Sequence, residues 1–307
     1  MAAGVVYLAS ASILNLIQQV ISGAASGMIF ASLALALVLI YRAMDVANFA
    51  QGEMAMFATF IAYTLITSLH LPYFAALAIT VILSFVAGVI IERALIRPFE
   101  GATVLTLVIV TLALFSIING LAGFIWGYVF KVFESPFPAA KAIRGGGLYL
   151  GYQDLAVIVV TLVVLAIVFV FFRFTKLGLA MRAAALYPES SRLVGVRTGT
   201  MLALGWGLSA AVGAVAGMLI SPVSGYLDPY FMQPVLLFAF AAAVLGGIES
   251  PIGAVVGGVL IGVLLALVGT YIPGGQDLRI PFGLVVIVVV LLFRPSGLFG
   301  RAEARRV

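Results

Sequence analysis

The residues best suited to meet a polar solute form a short run, Asp45, Asn48, Gln51, Gly52 and Glu53, set between two apolar stretches. The amides of Asn48 and Gln51 supply both donors and acceptors, and Glu53 supplies a carboxylate. An ionisable group at bilayer depth is costly and tends to face a cavity or a partner. The same residues also suit a plain turn at the membrane surface, with Glu53 favoured in the next helix's first turn by the helix dipole. A second polar point is Glu249, inside the glycine-rich run VLGGIESPIGAVVGGVLIG over residues 244–262. Glycine permits unusual backbone angles, and Pro251 removes an amide donor. The run is therefore predicted as a half-helix, a turn over residues 249–251 and a glycine-faced helix. Broken helices are where transporters place their pathways. The simpler alternative is a hairpin with Glu249 among the lipid headgroups. Asn48, Gln51, Glu53 and Glu249 are the substrate-pathway candidates.

Other chemistries lack their residues. No G-x-x-x-x-G-K-[ST] occurs, so the chain has no P-loop of its own. Neither H-E-x-x-H nor G-x-S-x-G is present, and no TVGYG-like filter points to a potassium channel. The absence of cysteine excludes disulfides, thiol catalysis and Cys-based metal sites. The single histidine, His70, lies beside Pro72 at a predicted helix end and reads as a boundary residue rather than a ligand. No catalytic, metal or cofactor-binding set stands out, and the chain reads as a non-enzyme.

The elements that must position the polar run are membrane helices. The 307 residues are 64% hydrophobic and 9% charged, against about one quarter charged in a soluble domain. Apolar segments are predicted at 19–41, 53–69, 73–91, 102–120, 153–172, 200–220, 233–248, 252–272 and 281–293. A span needs about 20 apolar residues, and strict two-residue alternation is absent, which favours helices over a barrel. The expected fold is all-α: a polytopic bundle of about 8–9 transmembrane helices, with possible broken or re-entrant segments, forming one permease domain over 1–307. The first ten residues lack the basic region of a cleaved signal peptide. The aromatics of the 122–152 loop, among them Trp126, Tyr128, Tyr149 and Tyr152, read as interface anchors.

With all nine segments crossing, one side holds Arg42, Arg93, Arg97, Arg173, Lys176, Arg182, Arg192, Arg197, Arg294, Arg301, Arg305 and Arg306. The other holds Lys131, Lys141, Arg144 and Arg279. Twelve against four is a positive-inside bias that puts the C-terminus in the cytoplasm and the N-terminus outside. A single re-entrant segment would flip the N-terminus. The net charge of +5 is explained by topology, without nucleic acid.

Small residues four apart, Gly23 with Gly27, Gly213 with Gly217, Gly253 with Gly257 and Gly258 with Gly262, suit close helix packing. The longest inside loop, 173–198, contains helix signals: Pro188 for a first turn, Glu189 behind it, and Gly195 for a stop. A short surface helix is predicted over 188–194, with Glu189 and Arg192 able to pair and Leu193 and Val194 forming an apolar patch. It reads as a docking element for a soluble partner, or as a basic loop that sets topology.

At this point the residues carry a resemblance. The run GMIFASLALALVLIYRAMDVANFAQGEMAMFATFIAY resembles the opening of the permease subunits of branched-chain amino-acid ABC importers. Their N-F-A-x-G-E signature stands here as Asn48, Phe49, Ala50, Gly52 and Glu53, with Gln51 where many relatives carry His. GLAMRAAALYPESSRLVGVRT is similar to the family's coupling segment, with Arg182, Ala184 and Gly195 at matching places. The glycine-rich run and the ending FRPSGLFG resemble the family's as well. The resemblance implies a multi-pass protein of the bacterial inner (plasma) membrane that pairs with a second homologous permease subunit. It implies docking on two ATP-binding cassette subunits and delivery of solute by a periplasmic or surface solute-binding protein. ATP would sit on those partners, with no cofactor in this chain. Leu, Ile and Val are the usual cargo, and relatives carry urea, amides or aromatic acids. Arg182, Ala184, Pro188, Glu189, Arg192, Leu193 and Gly195 would couple the chain to the ATPase. The alternative is a stand-alone secondary transporter or channel for a small solute.

Overall fold

In the computed structural model residues 2–137 and 142–300 are described, the side chains of residues 2–12 excepted. Lys141, Arg301, Arg305 and Arg306 of the charge count lie outside them. Nine apolar helices form the body: α1 (Ala2–Met44), α2 (Gln51–Thr67), α3 (Tyr73–Ile91), α4 (Val104–Trp126), α5 (Tyr152–Phe174), α8 (Thr198–Ser224), α9 (Met232–Gly246), α10 (Pro251–Tyr271) and α11 (Arg279–Phe293). Two short helices, α6 (Lys176–Leu186) and α7 (Pro188–Leu193), link α5 to α8. Six helices, counting α1 from Ile13 and α3 on to Phe99, are long and apolar enough to cross a membrane; α9 and α11 are shorter.

The loop before α5 folds into an antiparallel hairpin, β1 (Ala142–Gly145) and β2 (Leu148–Gly151), with Ile143 opposite Leu150. Gln18 of α1 binds β2 through both halves of its amide, donating to the Tyr149 carbonyl (2.9 Å) and accepting from its N–H (3.0 Å). The hairpin marks one end of the bundle and α6–α7 the other.

Burial divides the helices into inner and outer sets. Every residue from Gly27 through Ile40 is buried, so α1 runs through the centre. The outer helices keep apolar residues exposed, such as Ile82 and Ile90 on α3, Leu105 and Ile109 on α4, Ile167 on α5 and Val288 on α11. Exposed aliphatic residues in such number are a lipid-facing surface, since a water-facing helix would carry charge there.

Glycine decides how closely the inner helices approach. A Cβ on Gly27 would lie 2.6 Å from the Gly258 carbonyl oxygen, and one on Gly23 would lie 2.7 Å from the Val263 Cα. The Gly23/Gly27 and Gly258/Gly262 pairs therefore face each other across α1 and α10, backbone on backbone. Gly213 and Gly217 admit α2 instead, meeting Gln51, Ala55 and Thr59. Lipid supplies no hydrophobic force between helices, so this close packing and its hydrogen bonds hold the bundle.

The contacts also reveal an inverted repeat, which no tandem pattern in the sequence announces. Helix α10 lies antiparallel on α1, with Gly23 beside Val263 and Gly27 beside Gly258. Helix α3 lies antiparallel on α8, with Tyr73 bonded to the Met218 carbonyl and Gly88 against Trp206. In each half a long helix (α1 or α8) breaks, a shorter helix follows (α2 or α9), and a return helix packs on the other half's long helix. Such repeats place their breaks near the bilayer midplane.

Candidate functional site

The first break, residues 45–50, begins at exposed Asp45 and turns inward, with Val46, Asn48 and Ala50 buried. Asp45 takes a left-handed conformation at φ 57°, which an acidic residue tolerates better than a branched one. Asn48 Oδ1 then accepts from the Ala50 N–H at 3.0 Å, an Asx turn that launches α2. Asn48, Gln51 and Glu53 are 0%, 0% and 1% exposed. Gln51 donates to the Ser209 carbonyl at 3.2 Å and accepts from the Ser209 hydroxyl at 2.9 Å. Ser209 lies near the middle of α8, so α2 starts at mid-depth rather than at the membrane surface. Its approach to α8 depends on Gly213, where a Cβ would come within 2.6 Å of Gln51 Nε2.

The second break, residues 225–231, enters from the hairpin end. It is fixed by mutual backbone hydrogen bonds between Lys131 and Leu227, and Leu227, Phe231 and Met232 are buried. Glu53 is the point where both breaks meet. Its carboxylate accepts from Asn119 of α4 at 3.1 Å and from Gln233 of α9 at 3.3 Å. Asn119 also donates to the Pro229 carbonyl at 2.7 Å. The cluster thus ties α2, α4, α8 and α9, drawn from both halves. Phe49 stacks on Phe240 beside it, with ring centroids 5.3 Å apart.

Chemically this is a closed, internally satisfied polar lock. Beside it, next to Asn48 and Trp206, lies a cavity of about 10 Å³, at the lower limit for one water. In this conformation the amides and carboxylate hold helices; a solute reaches them only if α2 and α9 part. Ser209→Ala is expected to lower stability by about 1 kcal/mol, one buried hydrogen-bond donor, read as a modest drop in the thermal midpoint in detergent.

Glu249 is not part of this cluster. It sits exposed in the turn between α9 and α10, where Gly247 (φ 106°) allows the chain to reverse. The 244–262 run holds the last residues of the 15-residue α9, a turn, and the first half of a glycine-faced α10. Reasoning from sequence missed Asn119, Ser209 and the second break. A signal existed: Asp228, Phe231 and Gln233 echo Asp45, Phe49 and Gln51 with one residue fewer, and Asn119 is the lone amide of α4.

At the opposite end, α7 starts at Pro188 with Glu189 in its first turn. After its C-cap Val194, Gly195 turns left-handed at φ 85°. Only Ser191 of the helix is buried. Arg182 and Ala184 lie on α6, half-buried. The pairing of Glu189 with Arg192 suggested by their spacing is not what forms. Arg192 bonds Thr198 at 2.9 Å and reaches Glu100 at 3.4 Å instead.

The family described as branched-chain amino acid transport system, permease component, matches residues 19–294. This chain belongs to that permease family. The permease is 32% identical to the high-affinity branched-chain amino acid transport system permease protein BraD of Pseudomonas aeruginosa, covering 96% of this chain and 99% of that one. It is 30% identical to the corresponding permease protein LivH of Escherichia coli, over 97% and 100% of the two chains. A probable branched-chain amino acid permease LivH of Methanocaldococcus jannaschii matches at 28% over 87% of each.

Proposed function

We propose that the chain is the transmembrane permease subunit of an ATP-driven importer, a single membrane domain moving branched-chain amino acids or related small polar solutes across a bacterial plasma membrane. The observation that carries this reading is the surface at and beside α7. Leu193, Val194, Leu186 and Tyr187 are 89%, 80%, 72% and 68% exposed, in a segment that also bears Glu189, Arg192 and Arg197. An apolar patch rimmed by charge fits a protein partner better than lipid. That end of the bundle holds Arg42, Arg93, Arg97, Arg173, Lys176, Arg182, Arg192, Arg197 and Arg294, against Lys131, Arg144 and Arg279 at the hairpin end. Nine against three among the described residues supports a cytoplasmic α7 end, with the C-terminal end of α11 on the same side.

Two ATP-binding cassette subunits would then dock at Arg182, Ala184, Pro188, Glu189, Arg192, Leu193 and Gly195, and a homologous permease would pack beside this one. A solute-binding protein would meet the hairpin end. ATP binds the cassette subunits, and this chain needs no cofactor. Closure of those subunits displaces α7, and the sliding glycine interfaces open the lock around Asn48, Gln51 and Glu53 to the solute.

Uptake assays on sealed vesicles holding the chain with its co-purified partners test this reading. ATP-dependent accumulation of labelled leucine, isoleucine or valine is the expected result. Ion-driven uptake by the chain alone contradicts it. Leu193→Asp with Val194→Asp is expected to reduce co-purified ATP-binding subunits about tenfold, the loss of about 1.4 kcal/mol of apolar docking. The thermal midpoint of the chain itself should not move.

A further inference from the structure

At the α7 end, α3 continues into a π-helical turn, Glu92–Ile96, and then a single 3-10 turn, Arg97–Phe99. The wider ring of a π turn brings residues five apart into register, and here the Arg97 N–H donates to the Glu92 carbonyl. Their side chains follow: the Arg97 guanidinium grips the Glu92 carboxylate with two bonds, Nε at 3.2 Å and Nη2 at 2.9 Å. Glu92 is 1% exposed. The same Nη2 also donates to the Gly199 carbonyl at 2.8 Å, in the first turn of α8. The guanidinium lies close over Gly199, where an added Cβ would stand in ordinary contact, 3.4 Å from the guanidinium carbon. The preceding residue, Thr198, accepts from Nε of Arg192 on α7. One turn of α8 is therefore held from two sides, by α7 through Arg192 and by the end of α3 through Arg97.

We propose that Arg97 is a positioning residue that makes α3 and α8 move together when α7 is displaced, by clamping the extension of α3 to the α8 turn that Arg192 holds. The clamp rests on the importer reading above. Helix α8 carries Ser209, which binds Gln51 at the start of α2, so a displacement entering at Thr198 and Gly199 reaches the mid-depth break along one rigid helix. Without Arg97, α7 would pull on α8 alone. The end of α3 next to α7 would lose its hold on α8, and Gly88 and Tyr73, farther along α3, would transmit the displacement less fully.

The test uses Arg97→Lys and Thr198→Val, each in the complete complex with co-purified ATP-binding subunits. Lysine keeps a positive charge over buried Glu92, but its point-like ammonium cannot bridge Glu92 and Gly199 as the planar fork does. Valine at 198 removes the acceptor of Arg192, a residue exposed enough to find water. Both variants are expected to assemble with wild-type amounts of ATP-binding subunits. Solute moved per ATP hydrolysed should fall about five- to tenfold in Arg97→Lys and by a smaller factor in Thr198→Val, of the order of one hydrogen bond each. The KM for solute should stay put while the maximal uptake rate falls, a split that general loosening of the fold would not give. Coupling within about twofold of wild type in assembled Arg97→Lys overturns the proposal. Failure of that variant to assemble also overturns it, because Arg97 would then be a folding residue. Failure of the wild-type chain to retain any ATP-binding subunit would instead refute the importer reading itself.

Discussion

Gly27→Val is expected to abolish recovery of a monodisperse folded chain, while Gly120→Val is expected to leave it intact. At Gly27 the neighbours of a new side chain are backbone atoms, the Gly258 carbonyl oxygen at 2.6 Å and the Val259 Cα at 2.8 Å. Backbone cannot rotate out of the way, so α1 and α10 must separate along their whole contact. Overpacking of a dense core typically costs about 1–3 kcal/mol even where side chains can adjust. Here the expected loss is at or above that range, since the interface depends on close approach rather than on hydrophobic force. Gly120, on the exposed face of α4, has nothing within 4 Å of an added Cβ. Size-exclusion profiles of the two variants in the same detergent make the comparison. Equal profiles would show that the Gly23–Gly27 contact with α10 does not hold the bundle.

Glu53→Ala carries the second large effect. Alanine removes the acceptor shared by Asn119 and Gln233, and leaves the buried Asn119 amide and the half-buried Gln233 amide facing an empty site. An unsatisfied buried group costs about 1–3 kcal/mol, so a loss of about that size is expected from Asn119, with a smaller addition from half-buried Gln233. Glu53→Gln keeps one acceptor oxygen and should fall between wild type and alanine. Asn119→Leu combined with Glu53→Ala should recover part of the loss, because one of the stranded donors is gone. Its magnitude in a double-mutant cycle measures the pair directly. Thermal unfolding in detergent gives the stability, and uptake gives the function. If Glu53→Ala unfolds like wild type, the mid-depth junction of α2, α4 and α9 is not a lock.

Much of this architecture was legible in the residues, for physical reasons that differ by element. The apolar segments were readable because lipid demands about 20 apolar residues per span, and all nine predicted segments correspond to helices. The hairpin over 142–151 was hidden, since its Gly-Gly-Gly and aromatic residues also suit an irregular interfacial loop. Within the polar run, a buried position and a surface turn were equally compatible with Asn48, Gln51 and Glu53. What decides between them is Gly213, a residue far off in sequence that lets α2 sink against α8. The partners of Glu53 were illegible for the same reason: Asn119 and Gln233 lie 66 and 180 positions away. The inverted repeat left only the faint echo between Asp45, Phe49, Gln51 and Asp228, Phe231, Gln233. Opposed chain direction and divergence remove any simple period. Spacing also suggested a local pair for Arg192, whereas the fold offers it Thr198 and Glu100 across the α8 turn.

The importer reading joins the two ends of the molecule into one device. In that reading α7, with the apolar patch beside it, would receive a push, Arg192 and Arg97 would deliver it to α8 and α3, and α8 would carry it to the polar cluster shared by both halves. Each link is a named contact, so each can be broken separately. The central claim is that α7 has a soluble ATP-binding partner. The most direct measurement is mild-detergent purification of the tagged chain from its native membrane, with bound proteins identified by mass spectrometry. The expected result is recovery of P-loop ATP-binding subunits and a second hydrophobic permease from wild type, and loss of the former from the Leu193→Asp, Val194→Asp variant. Recovery of the chain alone, intact and monodisperse, would contradict it.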